Sequence, residues 1–198
     1  MTPVVRLLFA QAWASLKTPR EVARWVMSFD LPRVMRWEVL LLVVILSTML
    51  AQFTVTFVAS EQAMLMGQIL ANPWTTSIIQ MSVLVIAVFS VYWIGRAMGG
   101  TGGFGDAILL VAWLQFCMFC LQLVQTAAML VMPPVAGLLG LAGFAVFFWL
   151  LTNFVAELHG FRSLPQVFLM ILVSILALVF GVSLILAVIG ISVPGAGA

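Results

Sequence analysis

Residues 39–58 read VLLLVVILSTMLAQFTVTFV, an apolar run of 20 residues without a charged side chain. A helix needs about 20 apolar residues to cross the hydrocarbon core of a bilayer. Lipid offers no partners to backbone N–H and C=O groups, so such a segment must satisfy its hydrogen bonds internally. The run therefore predicts a transmembrane helix.

Four more runs of this kind follow, and none contains Asp, Glu, Lys, Arg or His. The five predicted spans are 39–58, 75–95, 107–131, 135–156 and 167–188. The chain is 65% hydrophobic and 7% charged, whereas soluble domains carry roughly 25% charged residues. Strands of a membrane barrel would alternate apolar and polar residues, which these runs do not. The predicted fold class is all-α, with residues 39–190 forming an integral membrane bundle of five transmembrane helices.

All basic residues fall in the gaps on one side of the predicted spans. If the gaps are alternately inside and outside, the inside gaps hold six, one and one Lys/Arg and the outside gaps hold none. Because cytoplasmic loops retain Lys and Arg, we expect the N-terminus inside and the C-terminus outside, with residues 191–198 as an outer tail. The net charge of +2 is too small to indicate nucleic acid. The basic N-terminal segment favours the anionic cytoplasmic leaflet of the lipid bilayer instead.

Residues 1–38 form the predicted cytoplasmic head, which contains one short amphipathic helix. Thr18 and Glu21 can form a capping box at its start. Apolar residues then recur at i, i+3, i+4 and i+7 as far as Phe29. We expect this helix to lie in the membrane interface, with Trp25 and Phe29 in the acyl boundary.

The gap between the second and third spans is rich in glycine, and residues 99–106 read GGTGGFGD. Gly100, Gly102 and Gly105 match the dinucleotide-binding pattern G-x-G-x-x-G literally. That fingerprint must follow a strand within a βαβ unit, whereas this one follows a membrane helix. Asp106 would also place negative charge at the helix start, where a phosphate would otherwise sit. A flexible turn with a helix cap is predicted, and an anion site is the alternative.

Polar side chains form stripes on two predicted spans. They are Gln115, Gln122 and Thr126, flanked by Gln125, on the third helix, and Thr48, Gln52 and Thr56 on the first. In hydrocarbon such groups seek partners on neighbouring helices. They predict interhelical hydrogen bonds, and a water-filled or substrate-lined path is the alternative. Proton relays and ion-coupled carriers are disfavoured because the spans hold no ionisable residue.

Small residues cover one face of each of the last two spans. They are Ala136, Gly137, Gly140 and Gly143 on the fourth helix, and Ser174, Ala177 and Gly181 on the fifth. Small faces let helix backbones approach closely, either within one chain or between two copies. A homo-oligomer is therefore one of two open alternatives.

The two cysteines, Cys117 and Cys120, form a C-x-x-C inside the third span. Structural metal sites generally need four ligands, and the one histidine, His159, lies in an inner loop. The cysteines are therefore predicted to be packing residues, and neither a metal nor a cofactor is expected.

Three patches of the sequence carry a family resemblance. They are residues 17–21 (KTPRE), the glycine loop continuing to Ala107 and Trp113, and the stretch from Trp149 through Asn153 to residues 159–163 (HGFRS). Together they resemble the Yip family of five-span membrane proteins (the Ypt-interacting proteins), specifically its bacterial branch. The resemblance implies a multi-pass protein of the bacterial inner membrane with an inner N-terminus and an outer C-terminus. Eukaryotic members are linked to Rab-type GTPases through a longer N-terminal region, so the short head here makes a GTPase partner doubtful.

The sequence favours a non-enzymatic membrane protein that binds or organises other membrane components, including other membrane proteins. The head helix and the glycine loop carry charge on the predicted cytoplasmic side, which makes them the expected partner surface. Its candidate positions are Trp25, Gly103, Phe104, Asp106 and Arg162. The alternative is a small-solute permease or channel lined by the candidate stripe Gln52, Gln115, Gln122 and Thr126. An enzyme is the least favoured class, because no nucleophile, metal set or paired carboxylates stands out.

Overall fold

A computed structural model describes residues 3–57 and 72–188, and these residues are almost entirely helical. The helices are α1 (Pro3–Lys17), α2 (Pro19–Met27), α3 (Arg33–Phe57), α4 (Pro73–Ala97), α5 (Phe104–Val131), α6 (Pro133–His159) and α7 (Leu164–Val188). Helices α3 to α7 are long and apolar enough to cross a membrane, which confirms the all-α class and the five predicted spans. The predicted tail, 191–198, and most of the predicted outer loop lie outside the described residues.

Local sequence sets the helix boundaries. A proline stands in the first turn of α2, α4 and α6, where its missing N–H is not needed. Asn72 caps α4 by accepting a hydrogen bond from the Trp74 N–H at 2.9 Å. Helix α6 stops at Gly160, whose φ of 72° lies in the left-handed region that favours glycine. The capping box predicted at Thr18 does not form, because α1 immediately precedes α2 and the Thr18 hydroxyl donates to the Ala14 carbonyl instead.

The helix α1 was not predicted from the sequence. Arg6, Gln11 and Lys17 are scattered among its apolar residues and mask the helical period. In the structure, Ala12 and Ser15 are buried and face the bundle. Together α1 and α2 form an N-terminal hairpin (residues 3–27) that packs on α5 and α6. The head is therefore a helical pair attached to the bundle rather than a single interfacial helix.

Helix α5 lies at the centre of the bundle. It contacts the N-terminal hairpin, α3, α4 and α6, while α7 packs against α6. The short connection at Met132 makes α5 and α6 antiparallel neighbours, as the sequence predicts. Because so many elements meet on it, α5 carries the longest run of buried residues, from Ala107 to Leu114.

The described bundle divides into two halves at the helix midpoints. The charged half (residues 3–45, 85–117 and 146–176) contains every charged side chain of the described residues. It also contains all the buried residues except Ser47, Thr48, Thr126 and Ala136. The uncharged half (residues 46–57, 72–84, 118–145 and 177–188) is open by comparison: Val131 is 79% exposed and Leu141 is 72% exposed. The dense core and the charge therefore lie at the same end, which we call the charged end.

Candidate partner surface at the charged end

The last residue of α6, His159, is buried at the charged end with only 3% of its surface exposed. Its Nδ1 accepts a hydrogen bond from the Gly102 N–H at 3.3 Å, and its Nε2 lies 3.0 Å from the Val91 carbonyl oxygen. A backbone N–H can only donate, so Nδ1 is the unprotonated nitrogen and Nε2 donates to Val91. One neutral imidazole thus ties α4, the glycine loop and the end of α6 together.

Glycine residues make this close packing possible. A Cβ atom at Gly95 or Gly100 would overlap the His159 ring, and one at Gly102 would lie 2.6 Å from Leu158 Cγ. Contacts that short are not found between real side chains, so each position requires glycine unless its neighbours move. We call the group His159, Val91, Gly95, Gly100 and Gly102 the His159 clasp. Its glycines are explained by lack of space around a buried ring.

His159 is not among the candidate functional residues predicted from the sequence, because it was assigned to an inner loop. A usable signal was present. Two of the patches that carry the family resemblance, residues 99–107 and 159–163, are the segments that meet in the His159 clasp. Their separation in sequence hid the contact.

Asp106, a candidate partner position, lies in the first turn of α5 and forms an ion pair with Arg36 of α3. The Arg36 Nη1 donates to the Asp106 Oδ1 at 3.1 Å, and the Arg36 Nε donates to the Leu31 carbonyl at 2.8 Å. A carboxylate at a helix N-terminus is also favoured by the helix dipole. Asp106 therefore holds the start of α3 against the start of α5.

Phe104, the second candidate, is the centre of an aromatic cluster that joins three helices. Its ring centroid lies 5.2 Å from the rings of Phe89 and Tyr92 on α4 and 6.3 Å from Trp37 on α3. Edge-to-face and tilted aromatic pairs of this kind stabilise packing beyond the area they bury. Phe104 is thus a packing residue of the charged half.

Trp25, the third candidate, packs against the bundle. Its ring meets Trp113 edge-on at 5.5 Å and Phe29 at 4.8 Å. The Trp113 Nε1 in turn donates to the buried Ser15 Oγ at 3.0 Å. The expectation that Trp25 lies in the acyl boundary is therefore wrong, because helices α5 and α6 cover the apolar face of α2.

Gly103 and Arg162, the remaining candidates, are exposed. Next to them, the N-terminal hairpin is tied to the end of α6 by polar contacts. The Arg24 Nε lies 3.5 Å from the Glu157 Oε1, and the Arg20 Nη2 donates to the Phe161 carbonyl at 3.5 Å. The structure therefore divides the five candidates into three with internal contacts and two on the surface.

The candidate intramembrane polar stripe lies between α3 and its neighbours. The Gln115 Nε2 donates to the Ser47 Oγ at 3.2 Å, and the Gln122 Nε2 donates to the Ser47 carbonyl at 3.4 Å. The Thr126 and Thr54 hydroxyls lie 2.9 Å apart. These are the interhelical bonds that such residues form in membranes.

Two further members of the first-helix stripe also lie on described backbone. The Thr48 hydroxyl lies 3.2 Å from the Gln80 Oε1 of α4, and Gln52 is half-buried one turn further along α3. The Thr56 side chain lies outside the described part of the structure.

The small-residue faces differ between α6 and α7. On α6, a Cβ atom at Gly140 would lie 3.1 Å from the Gln125 Nε2, and one at Gly143 would lie 3.0 Å from the Leu121 Cδ2, so this face packs closely on α5. On α7, a Cβ atom at Gly181 would meet nothing within 4 Å. Close packing within one chain thus accounts for Gly140 and Gly143 of the α6 face, whereas a Cβ atom at Gly137 would meet nothing within 4 Å.

The fold and these contacts define a class: a multi-pass membrane protein of five apolar helices. The charged residues of its described part lie at one end, where an N-terminal helical hairpin packs beside the spans. A family model described as the Yip1 domain matches residues 13–185. The chain therefore belongs to the Yip1 domain family, as the resemblance in three sequence patches implied. No curated protein and no solved structure matches it.

Proposed function

We propose that this Yip1-family chain is a non-enzymatic protein that organises other membrane components. It binds these components through its charged end, which lies on the cytoplasmic side of a bacterial inner membrane. One observation carries the proposal. The His159 clasp fixes the glycine loop to the end of α6, so the two exposed candidates, Gly103 and Arg162, belong to one supported surface. A preformed surface binds with a smaller ordering cost than a flexible one.

The orientation in this proposal rests on the charge distribution. All eight Lys and Arg residues lie in predicted inside gaps, and in the structure they cluster at the charged end. A reporter enzyme that is active only outside the cytoplasm, fused after Ala198, is expected to be active. A silent but expressed fusion would contradict the orientation.

A crosslinking experiment in native membranes tests the partner surface. A photoreactive amino acid at position 103 or 162 is expected to capture the same discrete membrane proteins. Trp74, which is 77% exposed in the uncharged half, is the matched control position and is expected to capture lipid and a different set of neighbours. Identical capture from all three positions, or none from positions 103 and 162, would contradict a partner surface at the charged end.

A second copy of the chain is among the partners that this experiment would detect, as a crosslinked homodimer. A Rab-type GTPase is not part of the proposal, because α2 is folded against α5 and α6 with Val22, Ala23 and Val26 buried there. Capture of a GTPase by positions 103 and 162 would revise that choice.

The permease alternative depends on a polar path, and the contacts favour interhelical bonding instead. Gln115 donates to the Ser47 hydroxyl and Gln122 to the Ser47 carbonyl, so both amides are oriented toward α3. Changing Gln115 and Gln122 to Leu is expected to leave partner capture intact. The permease would replace the organiser proposal if liposomes that contain the wild-type protein take up solute and liposomes that contain the Gln115→Leu/Gln122→Leu variant do not.

A further inference from the structure

The exposed surface of α1 is largely apolar, although α1 lies at the charged end of the molecule. Val4 is 62% exposed and Trp13 is 64% exposed, and Leu7, Phe9 and Leu16 are exposed as well. Among the outward residues, Arg6 and Lys17 carry charge, one near each end of the helix. The Lys17 Nζ lies 5.8 Å from the centroid of the Trp13 ring, an arrangement suited to the boundary between acyl chains and headgroups.

The outward face of α2 has the opposite character. Glu21, Arg24 and Ser28 are exposed there, while the apolar residues Val22, Ala23 and Val26 are buried against the bundle. An apolar surface as continuous as that of α1 is unusual in water. The two helices of the hairpin therefore face different solvents: lipid for α1, and headgroups and water for α2.

Contacts with α5 give the depth of α1. The Phe9 ring lies 6.0 Å from the ring of Phe116, and Ser15 bonds to Trp113. Phe116 comes nine residues after Ala107, the first residue of the predicted third span, which is about 14 Å along the helix axis at 1.5 Å per residue. The hydrocarbon core is about 30 Å thick in all, so α1 lies beside the spans within the leaflet at the charged end.

We propose that the N-terminal hairpin acts as a wedge, so that the protein binds preferentially to bilayers whose charged-end leaflet is convex. An α-helix is about 10 Å wide, so α1 adds at least about 80 Å² to the cross-section in one leaflet. In the described residues nothing comparable widens the uncharged half, where the spans alone are present. A molecule that is broader in one leaflet is accommodated with less strain where that leaflet is expanded.

The occupant of the exposed α1 surface is therefore the acyl region of the lipids, with anionic headgroups near Lys17. Spin labels on the full-length protein test this directly, in a background with Cys117 and Cys120 changed to Ala. A label at position 13 is expected to be relaxed by oxygen, which concentrates in lipid. A label at position 24, on the outward face of α2, is the matched control and is expected to be relaxed by a water-soluble nickel reagent. Equal access of the nickel reagent to both positions would overturn the proposal that α1 lies in the acyl region of the lipids.

The curvature preference is tested by reconstituting the full chain into vesicles of graded size. In the same cysteine-free background, the substitution Asp30→Cys adds one thiol at the charged end. A membrane-impermeant maleimide then labels only the molecules whose charged end faces the outside of the vesicle. We expect the ratio of charged-end-out to charged-end-in molecules to rise several-fold from giant to small sonicated vesicles, because the outer leaflet becomes more convex. A ratio that is independent of vesicle size would overturn the proposal.

Two variants with the same change in charge separate the wedge from simple electrostatics. Ala10→Lys/Trp13→Lys places two positive charges on the lipid-facing side of α1, away from the buried Ala12 and Ser15. Glu21→Lys changes the charge by the same amount on the outward face of α2. The size dependence is expected to disappear in the first variant and to persist in the second. If the dependence on vesicle size persists in both variants while the spin label at position 13 reports a lipid environment, α1 is not the wedge.

Discussion

The two halves of the bundle have similar apolar spans but opposite packing. In the charged half, the α5 residues Ala107 to Leu114 are each at most 8% exposed. In the uncharged half, the last residues of the same helix are open, with Leu130 57% exposed and Val131 79% exposed. Hydrophobicity does not drive helices together in lipid, because acyl chains are as apolar as leucine. The difference shows that glycine contacts, polar contacts and the docked hairpin determine where this bundle is dense.

The largest loss of stability is expected from a substitution at Gly95, where the charged half is most closely packed. Gly95→Ala would push a methyl group into the His159 ring, and overpacking of a dense core costs about 1–3 kcal/mol, occasionally more. The matched control is Gly137→Ala in the uncharged half, where a Cβ atom meets nothing within 4 Å. That change is expected to stabilise α6 by about 0.5–1 kcal/mol, since alanine is the better helix former. Unfolding in detergent by SDS titration measures both.

A rescue variant sharpens this prediction. Adding His159→Ala to Gly95→Ala removes the ring that the methyl group strikes, so the two changes together are expected to cost less than the sum of the two alone. Additive effects would mean that Gly95 matters for some other reason than the His159 clasp.

A smaller effect is expected for the attachment of the N-terminal hairpin. Ser15→Ala leaves the buried Trp113 Nε1 without the hydroxyl that accepts its hydrogen bond, which costs about 1–3 kcal/mol for an unsatisfied buried donor. The loss should be local, with faster amide hydrogen exchange in α1 than in α5. Ser82→Ala is the control in the uncharged half, because the Ser82 hydroxyl donates within its own helix to Ile78. Equal exchange in wild type and Ser15→Ala would contradict this role of Ser15.

The uncharged half has an interhelical bond that can be removed in the same way. Thr126→Val breaks the contact with Thr54, and interhelical hydrogen bonds in membranes average about 0.6 kcal/mol. A double-mutant cycle with Thr54→Val in an SDS titration measures the coupling. A coupling energy as large as that between Gly95 and His159 would mean that contacts between helices stabilise the two halves equally.

The smallest effect is expected for the ion pair between Arg24 and Glu157. Its atoms are 3.5 Å apart and the Arg24 side chain is 63% exposed, so Arg24→Gln should cost at most about 0.5 kcal/mol. The comparison is Arg36→Gln, because Arg36 is only 16% exposed and also donates to the Leu31 carbonyl. Thermal unfolding in detergent is expected to show that Arg36→Gln is less stable than Arg24→Gln. The reverse order would show that burial does not determine how much each ion pair stabilises the protein.

The amino-acid sequence by itself determined the fold class, the five spans and the end at which charge collects. These properties follow from composition along short windows, because a run of about 20 apolar residues must be helical in lipid. The pairing of α5 with α6 was also predictable, since only a short turn separates them.

Only the tertiary structure decided what the polar and glycine residues do. Trp25, Phe104 and Asp106 were predicted to form a partner surface, and in the structure each also contacts another helix. His159 and the glycine loop are 57 residues apart at their hydrogen bond, and no local pattern records such a contact. The helix α1 was hidden because its partners, Trp113 and Phe116, are about 100 residues away in the chain. The physical reason is that membrane insertion depends on local hydrophobicity, whereas close packing depends on which side chains meet.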